Sequence, residues 1–308
     1  MQYDLAIIGG GPAGVSGGIY ASRKKLKTIF ITESFGGQSI VSEDIQNWIG
    51  FPSISGTDLA KALENHLRTY AGDVVDIKLG ERINTIEKKD GGFLLKSSNG
   101  QTYEAKTILL TMGSSRRKIT VPGALKFENR GITYCASCDG PLFSGKDVVV
   151  IGGGNAGFET AAQLSAYCKS VFLLQRSPDY RADPVTVEKV LGKPNVKGVT
   201  NTEIVEVKGD KSVNALVYLD KNTNQNVEVP VQGIFVEIGL VPSTDLVKGL
   251  VELNQYGQVV VDPRTEQTKT LGIWAAGDCT DSLYHQNNIA SGDAVRALED
   301  IYLHLHTK

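Results

Sequence analysis

The chain has 308 residues, with 32 Lys+Arg against 34 Asp+Glu, a formal net charge of -2 and only four cysteines. That length suggests about two domains, the charge balance excludes an electrostatic nucleic-acid binder, and four cysteines exclude a disulfide-dense secreted scaffold. No apolar run approaches the ~18–20 residues of a membrane span, no signal peptide is legible, and the 34 glycines point to turns where backbone must approach something closely.

In chain order, a short strand of buried type, Asp4-Leu-Ala-Ile-Ile, runs into Gly9-Gly-Gly11-Pro12-Ala13-Gly14 and then a helix-compatible stretch. G-x-G-x-x-G in that context is a dinucleotide turn. Its first glycine allows the bend, its second lets backbone approach a pyrophosphate, and its third lets the helix pack against its strand. The next strand, Thr28-Ile-Phe-Ile-Thr, ends at Glu33, whose carboxylate can accept ribose hydroxyl hydrogen bonds, as suits FAD or NAD. Residues 58–70 read as an amphipathic helix. Residues 90–110 read as a hairpin closed by Asn99-Gly100.

Cys135-Ala-Ser-Cys138, followed by Asp139, is the only Cys-x-x-Cys. That spacing can close a small disulfide ring and cycle between dithiol and disulfide. A zinc site would need two further ligands, which Cys168, Cys279 and the four histidines do not supply at ligand spacing. Cys168 and Cys279 read as packed small hydrophobes.

A second strand–turn–helix follows, Asp147-Val-Val-Val-Ile-Gly152-Gly-Gly154-Asn155-Ala156-Gly157, 143 residues after the first. Its next strand ends at Gln175-Arg176. Glu33 and Arg176 each lie 24 residues after the first glycine of their turn, so one slot holds an acid in the first copy and a base in the second. An arginine there suits a 2′-phosphate, with Arg181 as a second candidate; the alternative is two solvated loop arginines. Residues 203–238 read as an antiparallel meander and Ser291–His306 as a helix. The expectation is an α/β protein with two Rossmann-like dinucleotide-binding domains, three-layer, and an electron path from nicotinamide to flavin to disulfide.

The whole chain resembles the low-molecular-weight thioredoxin reductases, a branch of the two-dinucleotide flavoprotein disulfide reductases. Besides both glycine turns and Cys135-Ala-Ser-Cys138-Asp139-Gly140, the matching residues are Gly36-Gly37-Gln38, Asn47-Trp48-x-Gly50, Gly239-Leu-Val-Pro242-Ser-Thr244, Ala275-Ala-Gly277-Asp278 and Gln286. The resemblance implies that one domain is inserted into the other: a discontinuous FAD domain, 1–115 and 246–308, and an NAD(P)H domain, 116–245, carrying the dithiol. It implies that Gly9, Gly11, Pro12, Ala13 and Gly14 receive the FAD pyrophosphate and that Glu33 holds the adenosine ribose. Gly37, Gln38, Asn47, Gly113, Gly277, Asp278 and Gln286 would line the flavin and its ribityl chain. Gly152, Gly154, Asn155, Ala156, Gly157, Arg176 and Arg181 would take NAD(P)H. Cys138 would face the flavin, Cys135 would attack thioredoxin, and Asp139 would be the acid/base, although it could also cap a helix. A cytoplasmic homodimer is implied too.

The chain departs from the family at informative places. Where NADPH-specific members carry His-Arg-Arg-x-x-x-Arg, it has Gln175-Arg176-Ser177-Pro178-Asp179-Tyr180-Arg181. One cationic partner is missing, so NADPH is favoured only slightly over NADH, and a ferredoxin-type donor or a non-thioredoxin acceptor is the alternative. His285-Gln286-Asn287 replaces Arg-Gln-Ala, and Met112-Gly113 replaces Thr-Gly. A peroxide-system reductase of related chemistry would need a thioredoxin-like region ahead of the flavin strand. A flavin-binding redox sensor without turnover is the reading from another class.

Overall fold

The computed structural model describes residues 2–42 and 44–307, apart from the side chains of Val41, Cys138 and Leu240. The chain forms two compact units. Unit 1 comprises residues 1–41, 48–115 and 241–308, and unit 2 comprises residues 42–47 and 116–240.

Unit 1 is built from β1 (Gln2–Ile8), α1 (Pro12–Arg23), β2 (Thr28–Thr32), α2 (Gly56–Ala71), β3 (Val75–Leu79), β4 (Ile83–Lys89), β5 (Gly92–Ser97) and β6 (Thr102–Leu110). Its sheet runs β3-β2-β1-β6-β5-β4, and Ile273–Ala275 pairs with the end of β6. The β3-β2-β1-β6 portion is parallel, and β4-β5-β6 is antiparallel. Helices on one face and an antiparallel excursion on the other cover β1 and β2, which is why both read as unbroken apolar runs. Ala6, Ile8, Ile29, Ile31, Ile108 and Leu110 pack with Phe93, Leu95 and Val259 on one side. On the other side α1 lies close because it carries Gly17 and Gly18. A Cβ at Gly17 would come 2.8 Å from Leu109, and one at Gly18 would come 2.8 Å from Leu67 of α2. Ser55 caps α2 by accepting the Asp58 N–H at 3.1 Å, and Gly72 at φ +50° ends it. The last helix spans Asn287–Thr307.

Unit 2 contains β7 (Ile132–Thr133), α3 (Ala136–Asp139), β8 (Asp147–Ile151), α4 (Asn155–Leu164), β9 (Ser170–Leu174), α5 (Pro184–Leu191) and β10 (Val196–Val199). These are followed by β11 (Thr202–Gly209), β12 (Val213–Asp220), β13 (Gln225–Pro230) and β14 (Gly233–Val236). The parallel sheet runs β10-β9-β8-β14-β7, and β11-β12-β13 is a separate antiparallel sheet. Alternation along β8 separates its two faces. Val148 and Val150 pack under α4 with Phe158, Ala161 and Leu164. Val149 and Ile151 pack against Val207, Leu216 and Val229 of the meander. Helix, parallel sheet and antiparallel sheet therefore make three layers. The expected helices, hairpin and meander are all present. Among the described residues, no helix is long and apolar enough to cross a membrane.

Candidate functional site

The two glycine turns share one geometry. Gly9 has φ +121° and Gly152 has φ +126°, a region that side chains avoid. A Cβ on Gly9 would overlap the Thr111 carbonyl, and one on Gly152 would overlap the Glu237 carbonyl. A Cβ on Gly14 or Gly157 would overlap the carbonyl oxygen of the first glycine of its own turn. The middle glycines differ. Gly154 has nothing within 4 Å of such a Cβ, and Gly11 has only the Gly37 Cα at 3.8 Å. The outer glycines are thus required by the fold, and the middle one is the position left open to a ligand.

The helix ends point the same way. Ser55 and Asp183 cap α2 and α5 with side-chain oxygens. In contrast, α1 and α4 start at Gly11 and Gly154 with no side-chain cap. Their first-turn N–H groups and the positive end of the helix dipole are available to an anion. The residues present fit a dinucleotide pyrophosphate at each turn.

In unit 1 the turn opens into a cavity of about 530 Å³. Gly9, Gly11, Pro12, Ala13, Glu33, Gly37, Gln38, Gly113, Gly277 and Asp278 all lie on its wall. Gln38 Nε2 donates to Ser114 Oγ and to Asp278 Oδ2, each at 3.2 Å, which ties three wall segments together. Asp278 Oδ1 lies 3.7 Å from His285 Nδ1. Gly14, Asn47 and Gln286 are not among the described wall residues; Gly14 instead packs the turn. Thr111, Ser114 and Arg82 line the cavity without having been singled out in the sequence, and Met112 and Asn287, two of the departures from the family pattern, line it too. Thr111 Oγ1 donates to the Ile8 carbonyl at 2.9 Å, just before the turn. The signal for it was its place at the carboxyl end of a parallel strand beside the turn, where α/β ligands bind.

In unit 2, Cys135 is disulfide-bonded, while Cys168 of the same unit and Cys279 of unit 1 are free and buried. Cys138 lies in α3, and its side chain is outside the described residues. Asp139 makes no side-chain cap to the turn it precedes. Its Oδ2 instead accepts a hydrogen bond from Thr133 Oγ1, which also accepts the Cys135 N–H at 3.4 Å. From α4, Gln163 holds the same segment, donating to the Ala136 carbonyl and accepting from Ser137 Oγ, each at 3.3 Å. Neither Thr133 nor Gln163 carries a motif in the sequence; only the fold brings them to the dithiol.

The strand-end loop of unit 2 is closed on itself. Gln175 is buried. Its Oε1 accepts the Gly153 N–H at 3.0 Å, and its Nε2 donates to Ser177 Oγ at 2.7 Å and to the Asp179 carbonyl at 3.1 Å. Arg176 and Arg181 remain exposed, with Arg176 in the field of Glu203. Asn155 Oδ1 accepts the Asp183 N–H at 3.0 Å, and so helps position the cap of α5. Glu237, which faces Gly152 across the turn, is a buried carboxylate that sequence reading missed. Burial pushes its carboxyl above the usual range, opposed by Arg116 at 3.5 Å and by the Thr160 hydroxyl at 2.9 Å.

Two parallel sheets of one winding, two glycine turns and a disulfide define a two-nucleotide oxidoreductase architecture. The chain belongs to the pyridine nucleotide-disulphide oxidoreductases, whose family model matches residues 3–294; FAD and NAD(P)H are the cofactors of that family. It is 42% identical over 295 residues to the NADH dehydrogenase of Bacillus subtilis, covering 96% of this chain and 57% of that protein. It is 39% identical over 296 residues to the F component of alkyl hydroperoxide reductase of Escherichia coli, with 96% and 57% covered. The chain thus spans a little over half the length of these curated relatives. The thioredoxin reductase of Streptococcus pyogenes superposes with a TM-score of 0.89 at 29% identity, covering 100% of this chain and 99% of that one. That of Giardia duodenalis gives 0.89 at 28% identity, with 98% and 99% covered.

Two outcomes are expected. Gly157→Ala should cost ~1–3 kcal/mol by overpacking and lower the thermal midpoint, whereas Gly154→Ala should leave the midpoint nearly unchanged and weaken binding of a nicotinamide nucleotide, measured by calorimetry. Burial pushes the Cys168 and Cys279 thiols up to about 11. Both stay protonated at neutral pH, so iodoacetamide should label only Cys135 and Cys138 in the reduced native protein; labelling of a third thiol counted by mass spectrometry would contradict this.

Proposed function

We propose that the chain is a flavoprotein disulfide reductase that takes reducing equivalents from NAD(P)H and passes them through the Cys135/Cys138 disulfide to a protein disulfide of the thioredoxin type. The observation that carries this reading is the disulfide-bonded Cys135, held next to Asp139 by the shared hydroxyl of Thr133. The cavity residues of unit 1 would hold FAD, and the open turn at Gly154 would hold the nicotinamide nucleotide. Bound FAD supplies a two-electron carrier between nicotinamide and disulfide.

The remaining work falls to side chains. Two-electron reduction breaks the S–S bond and leaves two sulfurs that must share or gain protons. Asp139 sits adjacent to that bond in sequence and is oriented by Thr133. A carboxylate beside a thiol disfavours the thiolate by like charge, so Asp139 serves as a proton carrier and not as a thiolate stabiliser. Cys135, half-buried rather than enclosed, attacks the acceptor disulfide as thiolate, and the mixed disulfide is resolved by the second cysteine.

The acceptor has two readings. The likeness to thioredoxin reductases over nearly whole chains favours free thioredoxin. The greater sequence identity to the alkyl hydroperoxide reductase component, of which the chain spans only part, favours a thioredoxin-like module of a peroxide-reducing system. For the donor, the closed Gln175–Asp179 loop leaves Arg176 and Arg181 as the cations nearest the strand end, which supports use of both NADPH and NADH.

Anaerobic addition of NADH or NADPH should bleach the flavin within seconds, and Cys138→Ser should keep that bleaching while abolishing reduction of thioredoxin. If neither nucleotide bleaches the flavin but reduced ferredoxin does, the donor assignment is wrong. Arg181→Ala should raise KM for NADPH about tenfold or more, the loss of a charged hydrogen bond of ~1.5–3 kcal/mol, and leave KM for NADH unchanged. Equal effects on both would remove the arginine from 2′-phosphate recognition.

A further inference from the structure

Behind the Gly277–Asp278 segment of the unit 1 cavity lies a buried acidic pair that the proposed redox chemistry does not use. Glu266 is 1% exposed and Asp293, on the C-terminal helix, is 5% exposed. Their Oε1 and Oδ1 atoms converge on one nitrogen, Arg296 Nη1, which also donates to the Pro263 carbonyl at 3.2 Å. Their other oxygens, Glu266 Oε2 and Asp293 Oδ2, have no hydrogen-bond partner among the described residues. Arg296 itself is nearly half exposed, so water weakens the compensation it gives. Two buried carboxylates, one partly solvated cation and two orphaned oxygens make an arrangement that is unstable with both acids ionised. Glu266 also holds a positive φ of 60°, unusual for a residue with a side chain. That conformation sends its backbone carbonyl to the Ala275 N–H at 3.0 Å.

The pair is connected to the cavity. The Glu266 carbonyl holds the Ala275 N–H, two residues before Gly277, and Asp293 stands on the same helix as Ala290, one turn on. Gly277, at φ +76°, is wedged between Ala290 and Ala13, where a Cβ would come within 3.0 and 3.4 Å of theirs. Asp278, the next residue, is on the cavity wall. The charged groups facing the pair are Asp281 beside Glu266, and His285 and Asp278 beside Asp293, in addition to Arg296. Asp262 contributes only its backbone carbonyl to the Glu266 N–H, at 2.7 Å.

We propose that Glu266 and Asp293 share one proton and act as positioning residues for the flavin loop: the protonated pair holds the Ala275–Gly277 segment against the helix turn at Ala290, and loss of the proton loosens that packing and weakens FAD binding. The inference rests on the reading of the unit 1 cavity as the FAD site. Burial and the neighbouring Asp293 push the Glu266 carboxyl up to about 7, and burial pushes the Asp293 carboxyl up as well, opposed by Arg296, so Glu266 is the member that keeps the proton. As pH rises through that range, Glu266 ionises, the two carboxylates repel, and an anionic cofactor meets one more negative charge near its loop. Affinity for FAD is therefore full below the pH at which the proton leaves and falls above it.

The test is FAD binding to apoprotein of the full chain, followed by flavin fluorescence between about pH 5.5 and about pH 8.5. One coupled proton permits up to about a tenfold rise in Kd per pH unit above neutrality. Glu266→Gln and Asp293→Asn should each remove the slope and keep the affinity seen at low pH. A flat wild-type profile, or a Glu266→Gln profile that keeps the wild-type slope, overturns the inference. A wild-type measurement guards against a variant that does not fold: calorimetry in two buffers of different ionisation enthalpy should show proton uptake on FAD binding just above neutral pH, and none would overturn the proposal. Failure to bind FAD at every pH is a different result, because it removes the cavity reading and the inference with it.

Discussion

The constraint on which both units depend is the contact between a strand-end carbonyl and a glycine that has no room for a side chain. In unit 1 the Thr111 carbonyl occupies the space of a Gly9 Cβ, and in unit 2 the Glu237 carbonyl does the same at Gly152. The contact is possible only because a parallel strand lies beside the strand that leads into the turn: β6 beside β1, and β14 beside β8. The third glycine then lets the helix approach its own turn so closely that its first N–H groups face outward. Packing alone fixes two of the three glycines. It leaves the second one uncovered, next to a helix start that no side chain caps. The same close approach that stabilises the turn therefore prepares an anion site, and neither consequence can be altered without the other.

Much of this was legible because it is local. The strands Leu5–Ile8 and Val148–Ile151, the glycine spacing and the Asn99-Gly100 hairpin each declare themselves within about ten residues, where periodicity and turn chemistry act directly. The Cys-x-x-Cys and the Glu33 and Arg176 slots were legible for a related reason, since fixed offsets from a turn translate into fixed places at a strand end. The residues that were not legible are joined across the chain. Thr133 reaches Asp139 over a short bend, but its importance depends on how β7 enters the sheet. Gln163 meets Ala136 and Ser137 from another helix, and Glu266 and Asp293 meet through Arg296. Threonine, glutamine and glutamate at those positions have no pattern to distinguish them from ordinary surface residues. Their burial is set by packing that a linear reading does not contain.

The strand-end loop of unit 2 shows how a sequence departure becomes a physical one. Read as a string, Gln175 and Ser177 are losses of charge from a basic motif. In the folded chain they bond to each other, to Gly153 and to Asp179. They convert a loop that elsewhere would present charge into a self-satisfied turn with two exposed arginines. A prefolded loop without a carboxylate does not repel a ribose hydroxyl, and its two arginines still offer a phosphate a cation. The permissive donor use proposed above follows from that balance and not from the absence of one arginine alone.

The two kinds of likeness diverge for a reason of the same sort. Thioredoxin reductases share the whole-chain architecture at 28–29% identity, because the architecture is set by the glycine contacts and the sheet order, which tolerate wide substitution elsewhere. Identity to the alkyl hydroperoxide reductase component and to an NADH dehydrogenase is greater, at 39–42%. A second set of residues, in loops and on surfaces, is not dictated by those contacts. Partner choice resides in that second set, since an acceptor disulfide meets loops and exposed side chains, never the buried strands. Architecture thus argues for the reaction, transfer of electrons to a disulfide. The unconstrained residues argue about the partner, and there the sequence relatives carry more weight than the superposition.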